Sequence, residues 1–236
     1  MPLFKTIKPN NHTAIYVWKI EESLIDLAEN MPLTERSKKR LVSMKSDLHK
    51  RGFLSVRHLL KAAGYTDFDL FYNGNGKPHL TDGKNISITH SYTFSAIAIS
   101  DSAVGIDIEK NREKIKIIQH RFVNFERGFI HKDDDYIEQL TVIWGAKESL
   151  YKIYPFGGLT FKNDIDINSF QIADKKTTGY IKVAGWDKYY DIRFEQLGGF
   201  TLVYACLLYK SDAADDSLRL YHGCALILKK NKLYTT

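Results

Sequence analysis

Two periods alternate along the chain. Thr13 to Lys19 (TAIYVWK) switches between apolar and polar side chains and predicts a first strand. From Glu35 to Ala63 there is no proline, and Leu41, Met44, Leu48, Val56, Leu59, Leu60 and Ala63 recur at spacings that predict one or two amphipathic helices. Thr34 is placed to cap that segment and Gly64 to end it. Leu70 to Tyr72, a turn over Asn73-Gly74-Asn75-Gly76, and Ile86 to Thr89 read as strand, turn and strand. Phe94 to Ser100 (FSAIAIS) and Ala103 to Glu109 are two more strands, and the Asp101-Ser102 step between them predicts a tight hairpin.

The second half has a similar grammar. Ile115 to Phe125 and Ile137 to Ile153 predict helices, whereas a stretch at Phe170, Tyr180 to Val183, Tyr190 to Phe194 and Thr201 to Tyr209 predict strands. Ile86-x-Ile88-x-His90-x-x-x-Phe94 aligns with Ile192-x-Phe194-x-Gln196-x-x-x-Phe200, each a strand, a short turn and an apolar strand. Beyond Ser211 the pattern changes: Asp212 to Asp216 is small and acidic like a linker, and Leu218 to Leu228 suits a strand or a helix.

The chain has 236 residues, 44% of them hydrophobic, enough for one large domain or two small ones. No run approaches the roughly twenty apolar residues a membrane helix needs, and the N-terminal stretch lacks the basic–apolar–small order of a secretory signal. Cys206 and Cys224 have no metal or redox spacing, and Cys206 in an apolar run reads as a buried thiol. These features point to a cytoplasmic protein with no membrane partner. The net charge of +6 favours anionic partners, and nucleic acid, a polyphosphate cofactor and an acidic protein all fit. The basic residues concentrate at Arg36, Lys38, Lys39, Arg40, Lys45, Lys50, Arg51 and Arg57.

Two strings carry the candidate chemistry. In Val104-Gly105-Ile106-Asp107-Ile108-Glu109 the carboxylates of Asp107 and Glu109 share one strand face, while Ile106 and Ile108 take the other. Such a pair repels itself unless a cation lies between. In Trp144-Gly145-Ala146-Lys147-Glu148-Ser149-Leu150-Tyr151-Lys152, Glu148 continues the helical stripe of Leu140 and Trp144, and Lys152 lies one turn beyond it. A carboxylate on a core-facing stripe needs a partner: a metal would serve, and so would an ordinary ion pair with Lys152. Three acids and an ammonium suit a divalent metal handling phosphate, and Mg²⁺ fits better than Ca²⁺ because it binds through few carboxylates together with substrate phosphates. Lys147 suits either a structural role or a phosphate contact, and Trp144 suits core packing.

These strings resemble the signature of the 4′-phosphopantetheinyl transferases, a G-[IV]-D-x-E strand followed by a W-x-x-K-E-[SA]-x-x-K helix. Gly76-Lys77-Pro78 and Ile86-Ser87-Ile88-Thr89-His90-Ser91 resemble two further blocks of that family, in the same order, with Thr89 in place of the usual serine. The resemblance implies an α+β fold of two similar subdomains in one chain, each a small antiparallel sheet packed with a long helix: 1–108, 109–210, and a tail of unassigned role at 211–236. The site would lie at their seam in a monomer, the long Sfp-like type of the family. It implies holo-carrier-protein synthase activity: Mg²⁺-dependent transfer of the 4′-phosphopantetheine arm from coenzyme A to a serine of an acidic apo acyl or peptidyl carrier protein, releasing adenosine 3′,5′-bisphosphate. Nucleic acid would not be a partner, and the pathway, be it fatty-acid, polyketide or peptide synthesis, is left open. By this resemblance Asp107, Glu109 and Glu148 hold the metal, and Glu148 also activates the serine. Lys152 contacts the phosphates or the arm, His90 meets a phosphate with Thr89 and Ser91 as donors, and Gly76, Lys77 and Pro78 border the adenine and the 3′-phosphate. Arg36, Lys39, Arg40 and Arg51 are candidates for the 3′-phosphate.

Two other functions share these features. A metal-dependent nuclease or phosphodiesterase would use similar acids on a basic surface, although Lys110 follows Glu109 directly and faces the other way. A non-catalytic carrier-protein-binding module would keep the fold without needing Asp107, Glu109, Glu148 and Lys152 intact.

Overall fold

The computed structural model describes residues 3–186 and 188–207, so the expectations for the 211–236 tail and for Cys224 lie outside the described residues. The chain opens with an antiparallel pair, β1 (Leu3–Asn10) and β2 (Thr13–Lys19), followed by a short α1 (Leu24–Ala28), α2 (Glu35–Ser43) and α3 (Asp47–Ala62). Thr34 caps α2 as expected, its hydroxyl accepting from the Ser37 amide at 3.2 Å, and α3 gives way at Gly64, whose φ is +86°. A small hairpin, β3 (Leu70–Tyr72) and β4 (Pro78–Leu80), precedes β5 (Asn85–Ser91), β6 (Phe94–Ser100) and β7 (Val104–Lys110). The second half contains α4 (Lys114–Ile118), the long α5 (Tyr136–Ile153), α6 (Phe161–Asp164), and strands β8 (Ile165–Ile167), β9 (Lys176–Ile181), β10 (Tyr189–Gln196) and β11 (Phe200–Leu207).

The strands form two antiparallel sheets, ordered β1-β2-β6-β5 and β7-β11-β10-β9-β8. The alternation of each strand shows how they stack. On β6, Ile97 and Ile99 point to a core with Leu54, Leu59 and Leu60 of α3, while Ala96 and Ala98 point the other way. On β11, Leu202 and Tyr204 meet Ala96, Ala98 and the β7 residues Ile106 and Ile108, while Val203 and Ala205 join Leu140, Ile143 and Leu150 of α5. The result is four layers, helix, sheet, sheet, helix, with a separate apolar core in each gap. The α+β class with antiparallel sheets is therefore the fold. Matching segments occupy matching places: β2-β6-β5 backed by α3, and β7-β11-β10 backed by α5.

Several expectations change. The Asp101-Ser102 step is not a hairpin, because β6 pairs with β2 and β5 whereas β7 pairs with β11; the chain crosses between sheets there. The sheets accordingly part before Val104, and a division at 108/109 would cut β7. The predicted helix at 115–125 shortens to α4 and a 3-10 turn, and the buried Phe170 lies outside any strand. The edge strands β1 and β8 and the three-residue β4 were not evident from the pattern.

Candidate active site at the seam between sheets

The outer edge of β7 meets β5, and the two are joined by side chains. Ser87, Thr89 and Ser91 alternate onto one face of β5, so all three hydroxyls turn toward β7. Ser87 Oγ accepts from the Ile106 amide at 3.1 Å and Thr89 Oγ1 from the Ile108 amide at 3.2 Å. Thr89 then donates to Asp107 Oδ1 at 3.0 Å, and Ser91 donates to Glu109 Oε2 at 3.1 Å. Thr89 and Ser91, expected as phosphate donors, direct their hydroxyls to the two carboxylates.

Asp107 and Glu109 occupy the β7 face that α5 covers, and two glycines allow the close approach. A Cβ on Gly105 would lie 2.0 Å from the Ser149 carbonyl oxygen of α5, and one on Gly145 would lie 2.8 Å from Val203 Cγ2 and 3.7 Å from Asp107 Oδ2. Lys152, from the last turn of α5, donates to Asp107 Oδ1 at 2.9 Å and to the Ile106 carbonyl at 2.8 Å. The ammonium therefore pairs with Asp107 across the seam rather than with Glu148 along the helix. Asp107 Oδ2 is buried and has no hydrogen-bond partner among the described residues.

The electrostatics identify a cluster of carboxylates. Burial, reinforced by the Asp107 charge, pushes Glu109 up. Glu148 is pushed up to about 7, chiefly by burial and then by Asp107 and Glu109, with Lys152 opposing. Among the described residues, however, no three acidic or other metal-ligating groups converge into a ready-made cage. Lys152 already neutralises part of the acidic charge, so the carboxylates gather without closing around one point.

A cleft of about 600 Å³ opens beside this seam. Tyr72, Lys77, Pro78 and Ser87 line it from the first half, and Tyr151 and Lys152 from α5. Arg36 and Arg40, one turn apart on α2, hold their guanidinium carbons 5.6 and 5.8 Å above the Tyr72 ring. Lys39 is exposed on the same helix, and none of Arg36, Lys39 and Arg40 lines the cleft itself. Arg51 donates Nη2 to the Ile20 carbonyl at 3.1 Å, and its buried Nε has no partner among the described residues. Lys77 donates to the Ile153 carbonyl at 3.1 Å, satisfying the C-terminal end of α5, and burial lowers its pKa.

His90 projects from the opposite face of β5, packed on Gly52 of α3 and edge-on to His49 at 6.5 Å. It stays exposed as a residue, but the packed side of its ring is desolvated; that and the nearby His49, Lys152 and Arg40 charges hold its pKa below the usual histidine value.

Lys147 is structural. It is 0% exposed, paired with Glu126 at 2.8 Å, and donates to the carbonyls of Phe122, Phe161 and Ile165 at 2.7–2.9 Å. Trp144 packs against Phe122 and Phe161, as core packing predicts. Glu126 was missed because its partner is remote in sequence. Tyr151 lay inside the quoted helix string, yet nothing in the string marked it as lining a cleft.

Residues 103–206 match the family model of the 4′-phosphopantetheinyl transferase superfamily. This stretch is a domain of that superfamily. The match covers less than half of the 236-residue chain and runs from just before β7 nearly to the end of β11. The transferase domain so defined contains Asp107, Glu109, Glu148 and Lys152, while Arg36 to Ser91 lie outside it. Phosphopantetheine transfer in general follows from this membership, with coenzyme A as the family's usual substrate. No curated protein matches the chain significantly. Among the described residues no helix is long and apolar enough to cross a membrane.

Proposed function

We propose that this chain transfers the 4′-phosphopantetheine arm of coenzyme A to a serine of an acidic apo carrier protein, acting as a Mg²⁺-dependent monomer with two subdomains that divide ahead of β7. The observation that carries the reading is the gathering of Asp107, Glu109 and Glu148 around Lys152, which itself lines the cleft together with Lys77.

Asp107 Oδ2, buried and without a hydrogen-bond partner among the described residues, lies beside two carboxylates with raised pKa values and fits a hard cation, so Asp107, Glu109 and Glu148 are the residues that would hold Mg²⁺. Bound there, the ion supplies neutralising charge to the pyrophosphate. Thr89 and Ser91 keep the two β7 carboxylates oriented, so little reorganisation is left for the reaction. Glu148 takes the proton of the carrier serine. The serine oxygen bonds to the phosphorus that bears the pantetheine arm. The bond from that phosphorus to the bridging oxygen breaks, and its electron pair leaves on adenosine 3′,5′-bisphosphate. Lys152, facing both Asp107 and the cleft, offsets the charge that develops on the departing oxygen. Arg36 and Arg40 over Tyr72 suit the 3′-phosphate. The excess of positive charge over the chain favours encounter with an acidic carrier.

Incubating the protein with coenzyme A, Mg²⁺ and an apo carrier, then weighing the carrier, tests this reading. The expected result is a mass gain of one phosphopantetheine. Coenzyme A binding without a gain would leave only a binding module, and cleavage of added DNA would point to a nuclease.

A further inference from the structure

The cleft has an aromatic wall on the side of the loop that follows α5. That loop reads Tyr154-Pro155-Phe156-Gly157-Gly158, and both glycines adopt positive φ, +69° and +76°. Phe156 lines the cleft yet is 75% exposed. Its ring meets Tyr154 at 5.5 Å and Trp186 at 6.0 Å, both edge-on, and Tyr154 meets Trp186 at 5.2 Å. Single exposed aromatics are ordinary on a surface. Phe156 differs because two other rings hold it from behind while it borders the cleft, on a loop whose left-handed glycines set its course.

Tyr72, Tyr151 and Tyr154 line the same cleft, and the Arg36 and Arg40 guanidinium carbons lie 5.6 and 5.8 Å from the centre of the Tyr72 ring. A cleft rich in aromatic rings favours a planar aromatic ligand, whereas a flexible aliphatic amide chain gains less from such surroundings. Arg36 and Arg40 beside Tyr72, and Lys77 in the cleft lining, would suit the phosphate at the nucleotide end of a donor.

We propose that Phe156 is the residue that covers the nucleobase of the donor, stacking on the adenine ring and selecting a nucleotide donor over a bare phosphopantetheine. The inference rests on the transferase reading above, since that reading supplies the adenine.

Calorimetric titration of the wild type and Phe156→Ala with coenzyme A, adenosine 3′,5′-bisphosphate and 4′-phosphopantetheine tests it. The expected result is a loss of about 5- to 150-fold for both adenine ligands, the worth of one base–aromatic stack, with no change for phosphopantetheine. Phe156→Trp should restore binding of both. Unchanged affinities in Phe156→Ala would overturn the proposal, and so would a loss confined to coenzyme A and phosphopantetheine, which would place Phe156 against the arm. A loss for all three ligands, with Phe156→Trp no better, would mark general damage to the cleft and equally overturn it. A wild type that binds adenosine 3′,5′-bisphosphate but not coenzyme A would instead defeat the transferase reading, and this assignment with it.

Discussion

Lys147 and Lys152 stand five residues apart on one helix and have opposite surroundings. Lys147 is sealed: Glu126 and three backbone carbonyls surround its ammonium, and it is 0% exposed. Lys152 is half-open, with Asp107 and the Ile106 carbonyl on one side and the cleft on the other. The first region has all its polar groups satisfied and nothing to offer a ligand. The second has a carboxylate oxygen without a partner among the described residues, two acids with raised pKa values, and a solvent path. Buried charge alone does not mark a site; incomplete satisfaction beside a cleft does.

Removing the sealed lysine should have the largest effect. Lys147→Met leaves Glu126 buried without its cation and takes the shared clamp away from the segments at Phe122, Phe161 and Ile165. A loss of about 3–5 kcal/mol in urea unfolding is expected. A double variant that also changes Glu126→Leu should recover much of that loss, and failure to recover would mean the carbonyl contacts dominate.

Lys152→Ala should do the reverse, lowering transfer by roughly 10²–10³-fold while the melting temperature moves little. Equal losses of stability in the two lysine variants would erase the distinction between the regions.

Much of this contrast was legible in the sequence, but unevenly. The period-two rule placed Asp107 and Glu109 on one face, and the helical stripe placed Glu148 toward that face. Local pattern was enough there, because each inference stayed within one element. The roles of Thr89, Ser91 and Lys77 depend on which element lies alongside, and neither β5 next to β7 nor the β3–β4 hairpin at the end of α5 is encoded locally. The Asp101-Ser102 step failed as a hairpin for the same reason: two adjacent apolar strands pair only if the sheet order allows it, and here β11 takes the place beside β7. Glu126 carried no signal, since a lone acid in a loop looks exposed until its lysine is found.

Gly105→Ala should cost less stability than Lys147→Met. The new methyl group meets the Ser149 carbonyl oxygen and forces α5 away from β7, with an expected cost of roughly 1–3 kcal/mol. Because Glu148 and Lys152 ride on α5, transfer should fall further than stability does. Thermal melting and turnover measured on the same preparation check this.

A pH slope probes the same carboxylates without touching the packing. Glu148 has a folded pKa of about 7 against an ordinary value of 4.5, so the folded protein keeps a proton that the unfolded chain releases. This group's contribution to stability is full below pH 4.5 and is lost as pH rises toward about 7; Glu109 acts in the same direction. In chelator, the wild type should lose melting temperature relative to Glu148→Gln across that window. A constant difference would show that Glu148 does not hold the extra proton.

If the carboxylates of the open region perform the chemistry, Glu148→Gln should reveal it. The substitution keeps the shape and one oxygen donor but removes charge and basicity. Turnover should be measured with coenzyme A and an apo carrier across a Mg²⁺ titration. The expected kcat is lower by roughly 10²–10⁴-fold, which saturating Mg²⁺ restores only in part, with coenzyme A binding and melting temperature close to wild type. Wild-type kcat with wild-type Mg²⁺ dependence would contradict it, and would reduce Glu148 to a neighbour of the site rather than a part of it.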